Sequence, residues 1–296
     1  MMYKYNYLLH HLQVASRVSD NREFLKKPDG TGIVTFRQLI ENAQKIAGFL
    51  TMLGLKPGDR VAAQAPKTAA MLELYLGTVM AGGVFLPLNN AYTASEISYF
   101  LSDAAPKFFI CDPAHIESLM PIALENGVTQ ILTLGANDSG TLVAMRDLQP
   151  AGFDPVPRGL DDLAAILYTS GTTGRSKGAM LSHGALASNA ETLREYWRFE
   201  RNDVLIHALP VFHTHGLFVA TNVALLAGAS CIFMEGFDAD AISEAMPNAS
   251  VLMGVPTFYT RLLNQPDLAT ASQNMRLFVS GSAPLLAETH AQWQDI

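Results

Sequence analysis

The chain alternates short apolar runs with helical patterns, and this alternation constrains its fold more than any other feature. Residues 60–63 and 107–111 are runs of strand length that are apolar after their first residue, and each is preceded by a proline-containing turn. Capping boxes at residues 35–38 and 93–96 predict helix starts ahead of apolar side chains at helical spacing. Repeated strand–helix alternation predicts an α/β fold with mostly parallel sheets and helices on their faces.

Charge and cysteine content narrow the class of protein. The 296 residues include 20 Lys and Arg against 27 Asp and Glu, a formal net charge of −7, with no basic run that would indicate a nucleic-acid partner. Because 49% of the residues are hydrophobic, the chain can bury a large core, which excludes intrinsic disorder. Cys111 and Cys231 are too few for a disulfide scaffold, so we expect a reducing, cytoplasmic location.

One uncharged segment, residues 216–234, is long enough to cross a bilayer. Polar residues interrupt it, among them Thr221, Asn222 and Ser230. Residues 227–230 fit a turn that separates a buried helix from a strand. We therefore expect two buried elements here and no membrane span.

A change of composition between residues 149 and 162 indicates a linker. Prolines and glycines stand there among acidic residues. We predict a first α/β subdomain at residues 1–150, a linker at 151–163 and a second α/β subdomain at 164–296.

Beyond this linker, four apolar runs lead into glycine- or proline-containing turns. They are residues 164–168, 204–210, 251–256 and 277–284. In open α/β sheets, ligands bind at the carboxyl ends of the strands. We therefore expect the four strand ends to share one cleft.

A segment rich in glycine and hydroxyl groups, residues 168–178, follows the apolar run at 163–167. Phosphate oxygens need backbone N–H donors at close range, small residues let the backbone approach, and Lys177 adds a mobile positive charge for the outer phosphates. The alternative is that the segment is a flexible surface loop. The position of the segment directly after a buried strand favours phosphate binding instead. The candidate phosphate-binding residues are Thr169, Ser170, Gly171, Thr172, Thr173, Gly174 and Lys177.

This segment is not a Walker loop, because Gly178 stands where that motif requires Ser or Thr. It resembles instead the phosphate-loop signature of the adenylate-forming superfamily, which includes acyl-CoA synthetases, luciferases and the adenylation domains of peptide synthetases. Directly after it, Ser182 fits the N-cap of a helix, so we expect His183 to be structural and not catalytic.

The resemblance extends along the chain. Segments at residues 81–89, 207–216, 254–257 and 279–285 are similar to further core motifs of the superfamily. Within the superfamily, residues 168–290 resemble the malonate–CoA ligases. The resemblance implies the large N-terminal domain of an adenylate-forming enzyme, with two layered α/β subdomains.

The resemblance also implies a chemistry. A carboxylate attacks the α-phosphorus of ATP to give an acyl-adenylate and pyrophosphate, and the CoA thiol then displaces AMP to form a thioester. Adenylation needs cation density and close placement of two like-charged reactants, so ATP, Mg²⁺ and CoA are implied. The implied catalytic residues are Thr169, Lys177 and His215, with Thr169 also an indirect contact to the metal.

A strand-to-helix turn is implied to pack against adenine and the acyl-adenylate. Its composition alone also fits a plain turn with no ligand. The residues are Gly281, Ser282, Ala283 and Pro284.

A small dicarboxylic acid such as malonate keeps its second carboxylate charged, and a buried anion needs a cationic or donating partner. By resemblance, His215, Arg261 and Ser280 bind the acid, and we expect Arg261 to be buried in the pocket. A solvated helix arginine is the alternative. For His213 we expect a role in supporting His215 or in packing. Zinc binding by His213 and His215 is the competing interpretation, and it lacks a Cys, Asp or Glu at ligand spacing.

Two alternatives stay open: another small acid such as methylmalonate or oxalate, and an inactive nucleotide-binding fragment. Members of the superfamily continue with a Tyr-Gly-Met-Thr-Glu segment, a ribose-binding Asp and a small C-terminal domain with a catalytic Lys. The sequence ends at Ile296 without these motifs. We expect the chain to be the N-terminal part of such an enzyme, with little turnover by itself.

Overall fold

The computed structural model describes residues 4–169 and 176–296. Contacts between Cα atoms divide the chain into two compact units. Unit 1 comprises Met1–Asn21 and Phe36–Asn189, and unit 2 comprises Arg22–Thr35 and Ala190–Ile296.

The strands form two sheets, one in each unit. In chain order, the strands within the described ranges are β1 (Glu23–Lys26), β2 (Val34–Thr35), β3 (Arg60–Gln64), β4 (Val84–Pro87), β5 (Phe108–Cys111), β6 (Gln130–Thr133), β7 (Leu163–Thr169), β8 (Lys177–Ser182), β9 (Val204–His207), β10 (Ser230–Phe233), β11 (Val251–Gly254) and β12 (Leu277–Ser280).

Helices occupy most of the sequence between the strands. In chain order they are α1 (Tyr7–His11), α2 (Val14–Arg17), α3 (Phe36–Met52), α4 (Ala69–Met80), α5 (Ala94–Ala104), α6 (Ile116–Glu125), α7 (Thr141–Asp147), α8 (His183–Tyr196), α9 (Asn222–Ala227), α10 (Ala239–Ala245), α11 (Pro256–Leu262), α12 (Leu268–Ala271) and α13 (Ala287–Gln294). A π-helix, His215–Thr221, precedes α9.

In unit 1 the strand order is β6-β5-β3-β4-β7-β8. All neighbours are parallel except β8, which runs antiparallel to β7. Every residue of β4 and β5 is buried. Such strands read as continuous apolar runs because both faces of a parallel sheet are covered.

In unit 2 the strand order is β12-β11-β9-β10-β1-β2, and only β2 is antiparallel to its neighbour. The predicted α/β fold with mostly parallel sheets is therefore confirmed. The helix predicted after the second capping box is also confirmed, since Thr93 and Glu96 make both reciprocal bonds at the start of α5.

The structure divides the chain at other points than the predicted linker. Residues 151–163 lie inside unit 1, where the Val156 N–H donates to the Met80 carbonyl at 2.8 Å. β7 then pairs in parallel with β4 through Phe85 and Ala165, so the strand before the predicted phosphate loop extends the first sheet. Proline and glycine indicate irregular backbone, and an anchored extended segment has the same composition as a linker.

Three of the four strand ends predicted to share a cleft do lie side by side. β9, β11 and β12 are adjacent and parallel, so their carboxyl ends meet at one edge of the unit 2 sheet. The fourth run is β7, which belongs to the sheet of unit 1.

The uncharged segment at residues 216–234 is divided, as predicted. The π-helix and α9 end at Gly228, whose φ of +73° lies in the left-handed region, and β10 begins at Ser230. Among the described residues, none of the helices combines the length and the apolar character needed to cross a bilayer.

Candidate functional site

The first group of predicted site residues lies at the end of the β7–β8 hairpin. Thr169 and Lys177 are register partners across this antiparallel pair, and both are exposed. Because directly opposed residues project from the same face, the hydroxyl and the ammonium group lie on one side of the hairpin. Five further candidates lie outside the described residues: Ser170, Gly171, Thr172, Thr173 and Gly174.

The hairpin continues into α8, and the helix begins as the sequence predicts. Ser182 Oγ accepts from the Ala185 N–H at 3.1 Å. His183 is fully buried, and its Nδ1 accepts from the Leu8 N–H at 3.3 Å. Burial, and next the charge of Arg158, lower the pKa of His183 to about 4. A neutral, buried acceptor fits the predicted structural role.

In unit 2, the end of β9 positions the π-helix. His207 Nε2 lies 3.0 Å from the Gly216 carbonyl and 3.1 Å from Thr221 Oγ1. A Cβ atom on Gly216 would lie 2.0 Å from the Pro210 carbonyl oxygen, so only glycine fits there. The π-helix that begins one residue earlier, at His215, therefore starts from a tightly packed turn. Such π-segments occur frequently at functional sites.

His215 lies against the turn that follows β12. Ser282 Oγ is 3.4 Å from His215 Nδ1, and a Cβ atom on Gly281 would lie 2.9 Å from the His215 ring. Desolvation, and next the neighbouring His213, lower the pKa of His215 to about 4, so the ring is neutral at pH 7. The structure thus brings together three predicted residues, and a neutral imidazole offers one N–H donor.

Two serine positions, Ser280 and Ser282, shape this turn. Ser280 Oγ is buried and has no hydrogen-bond partner among the described residues. Ser282, which is exposed, takes a φ of +67° in the left-handed region. Ala283 and Pro284 follow it and are exposed. Buried hydroxyl groups are normally hydrogen-bonded, so the hydroxyl of Ser280, unpartnered within the described ranges, is an exception.

Arg261 is placed differently from the prediction. The expectation that it is buried is wrong, because α11 turns Phe258, Tyr259 and Leu262 inward and leaves Arg261 exposed. Its guanidinium carbon lies 4.4 Å from the centre of the Phe237 ring. A cation–π contact therefore holds this positive charge at the surface, where it can still meet an anion.

The histidine pair considered for zinc has another arrangement. His213 Nδ1 accepts from the His215 N–H at 3.4 Å. Desolvation lowers the pKa of His213. Within residues 4–169 and 176–296, no three His, Cys, Asp or Glu side chains are grouped so as to hold a metal ion.

Sequence reasoning missed the residues that support the site. His207 beneath the π-helix was not singled out, and neither were Tyr99 and Asp103, which contact the hairpin. Tyr99 and Asp103 stand four positions apart in α5, so helical spacing could have placed them on one face. What that face contacts depends on the sheet order, which spacing does not provide.

Comparison with known proteins identifies the group to which the chain is similar. The family model described as AMP-binding enzyme matches residues 12–296. The crystal structure of ATP-bound MatB from Rhodopseudomonas palustris superposes with a TM-score of 0.91 at 50% identity, over 96% of this chain and 57% of that one.

Two curated relatives have nearly equal identity. A malonate–CoA ligase from Arabidopsis thaliana is 31% identical over 278 residues, which cover 86% of this chain and 45% of the ligase. A feruloyl-CoA synthase from an Amycolatopsis species is 32% identical over 269 residues, covering 90% of this chain and 52% of the synthase. The chain spans about half the length of these relatives. It belongs to the AMP-binding enzyme family.

Proposed function

We propose that the protein activates malonate with ATP, giving malonyl-adenylate and pyrophosphate, and that CoA then takes the malonyl group as a thioester. The observation that carries this proposal is the cross-strand pair of Thr169 and Lys177. It is supported by the 50% sequence identity to MatB, whose structure was solved with ATP bound. A carboxylate and a triphosphate repel each other, so the reaction depends on cations and on placement.

The β7–β8 hairpin would bind MgATP. The ammonium group of Lys177 is exposed and suits the outer phosphates, and the hydroxyl of Thr169 suits the α-phosphate or the magnesium shell. Backbone N–H groups of residues 170–174 would donate to the remaining phosphate oxygens.

The acid would bind at the carboxyl ends of β9, β11 and β12. There, His215 offers a neutral N–H donor and Ser280 a buried hydroxyl that lacks a partner among the described residues. Arg261 supplies the positive charge for the second carboxylate of malonate. The adenine and the acyl-adenylate would pack on the turn formed by Gly281, Ser282, Ala283 and Pro284.

The polar character of this group favours malonate over the aromatic acid named for the second relative. Ferulate has a ring where malonate has a second carboxylate, and a ring leaves donors such as Ser280 unpaired. Methylmalonate and oxalate carry the same two carboxylates, so they remain candidates for the same residues.

A direct test measures nucleotide binding and adenylate formation separately. The 296-residue protein is titrated with MgATP by calorimetry and is then incubated with MgATP and malonate, methylmalonate, oxalate or ferulate. We expect micromolar to millimolar MgATP binding and malonyl-adenylate by mass spectrometry. Nucleotide binding without any adenylate would favour a binding role, and no nucleotide binding would contradict the proposal.

A further inference from the structure

Two side chains of α5 contact the β7–β8 hairpin, one on each arm. The Tyr99 hydroxyl donates to the backbone carbonyl of Ser176 at 2.8 Å, directly before β8. Asp103 Oδ2 accepts from the Tyr168 hydroxyl at 2.5 Å, near the end of β7. Tyr99 and Asp103 stand four positions apart and therefore project from one face of the helix.

α5 is itself anchored at both ends. Thr93 and Glu96 close its N-terminus with the two reciprocal bonds of a capping box. At the other end, Arg60 donates from Nε to the Ala104 carbonyl and from Nη2 to the Ala105 carbonyl, each at 2.7 Å. These bonds satisfy carbonyl groups that a helix end leaves unpaired. The face that contacts the hairpin is thus fixed in place.

Aromatic packing limits the freedom of the same hydroxyl groups. The rings of Phe100 and Tyr168 lie 4.4 Å apart, and the rings of Tyr99 and Tyr168 meet edge to face at 6.2 Å. Both tyrosines pack against a buried apolar cluster in unit 1. Because packing holds the rings of Tyr99 and Tyr168, the position of each hydroxyl oxygen is fixed.

We propose that Tyr99 and Asp103 are positioning residues for nucleotide binding, which hold Thr169 and Lys177 opposite each other. The proposal rests on the proposed function. Neither α5 residue needs to touch the nucleotide, because each acts on the residue that precedes Thr169 or Lys177 in the chain. Since Lys177 serves the outer phosphates, which AMP lacks, loss of the Tyr99 contact weakens ATP binding and leaves AMP binding nearly unchanged. Loss of the Asp103 contact acts through Thr169, which suits the α-phosphate or the magnesium shell, and also weakens ATP binding.

Calorimetric titrations of the 296-residue protein with MgATP and with AMP test this inference. Tyr99→Phe and Asp103→Ala should each weaken MgATP binding about fivefold, which corresponds to one net hydrogen bond. Tyr99→Phe acts through Lys177 and should change AMP binding less than about twofold. Asp103→Asn retains an acceptor oxygen and should restore most of the ATP affinity. Tyr92→Phe is the matched control, because its ring packs on Phe100 at 4.7 Å and belongs to the same cluster.

A second measurement needs no nucleotide. Amide hydrogen exchange in β8 should quicken about fivefold in Tyr99→Phe, while exchange in β9 of unit 2 keeps its wild-type rate. Equal losses for ATP and AMP in Tyr99→Phe, or unchanged exchange in β8, overturn the proposal. If the wild-type protein binds no MgATP, the proposed function fails, and the exchange rates alone then decide whether α5 holds the hairpin.

Discussion

At the scale of single residues, close packing around Gly216 determines the local backbone conformation. Gly216 lies where any side chain would overlap the Pro210 carbonyl, and His207 lies against the Gly216 carbonyl from the other side. The absence of a Cβ atom thus lets the π-helix begin at His215. The requirement for glycine at position 216 is therefore steric.

We expect Gly216→Ala to destabilise unit 2 by about 3 kcal/mol or more, because backbone must move to remove the overlap. Urea unfolding followed by fluorescence measures the loss. Gly236→Ala is the control, since a Cβ atom there has no atom within 4 Å and the change should lie within about 0.5 kcal/mol. Equal effects of the two substitutions would show that packing at Gly216 is looser than described.

The low pKa of buried His183 makes the free energy of unfolding depend on pH. Its pKa is about 4 when folded against an ordinary 6.5, so between these values the unfolded chain binds a proton that the folded chain does not. The wild-type free energy of unfolding therefore falls as the pH falls from 6.5 to 4. His183→Asn cannot titrate, and its amide oxygen can accept from Leu8.

The loss of stability between pH 6.5 and 4.5 should be smaller in His183→Asn by about 2 kcal/mol. Urea unfolding of both proteins at half-unit pH steps measures this difference. Parallel pH profiles would mean that His183 titrates normally in the folded protein.

At the scale of elements, buried polar groups join helices in unit 1. Glu73 on α4 pairs with Arg146 on α7 at 2.5 Å and accepts from Asn42 on α3 at 2.8 Å. The Glu73 carboxyl is almost fully buried, and desolvation raises its pKa to about 7 in spite of the arginine. A charge in this position depends strongly on its partner.

Arg146→Met should destabilise the protein by about 3–5 kcal/mol, because it leaves Glu73 buried without its cation. The double variant Glu73→Gln with Arg146→Met removes both charges and should recover most of that loss. Thermal or urea unfolding at pH 8, where the unpaired carboxyl is most unfavourable, compares the two. A double variant no more stable than Arg146→Met alone would contradict this account.

At the scale of the whole molecule, each unit supplies a different part of the proposed activity. Unit 1 contains the hairpin with Thr169 and Lys177, and unit 2 contains His215, Ser280 and Arg261. In the proposed function, the acid-binding residues therefore all belong to unit 2, and the residues that bind the triphosphate belong to unit 1.

Arg261→Ala should lower adenylation of malonate about 10- to 100-fold, the effect of losing one charged hydrogen bond. Propionate lacks the second carboxylate, so its slower adenylation should change less than about threefold. Pyrophosphate release with each acid measures both effects. Equal losses for the two acids would remove Arg261 from the acid-binding group.

The sequence by itself determined those features of the fold that depend on periodicity and on local chemistry. The α/β class, the capped start of α5, the N-cap at Ser182 and the divided segment at residues 216–234 all follow from spacing over fewer than about twenty residues. Family resemblance, carried by the motif at residues 168–178, is equally local. The comparisons confirmed it.

Only the tertiary structure decided which strands are neighbours and what each side chain faces. β7 joins the sheet of unit 1 although a linker-like segment precedes it, and β1 and β2 join the sheet of unit 2 from the start of the chain. The exposure of Arg261 and the contact between α5 and the β7–β8 hairpin were also decided only by the tertiary structure. Strand order is set by contacts between residues far apart in sequence, and local spacing carries no record of them.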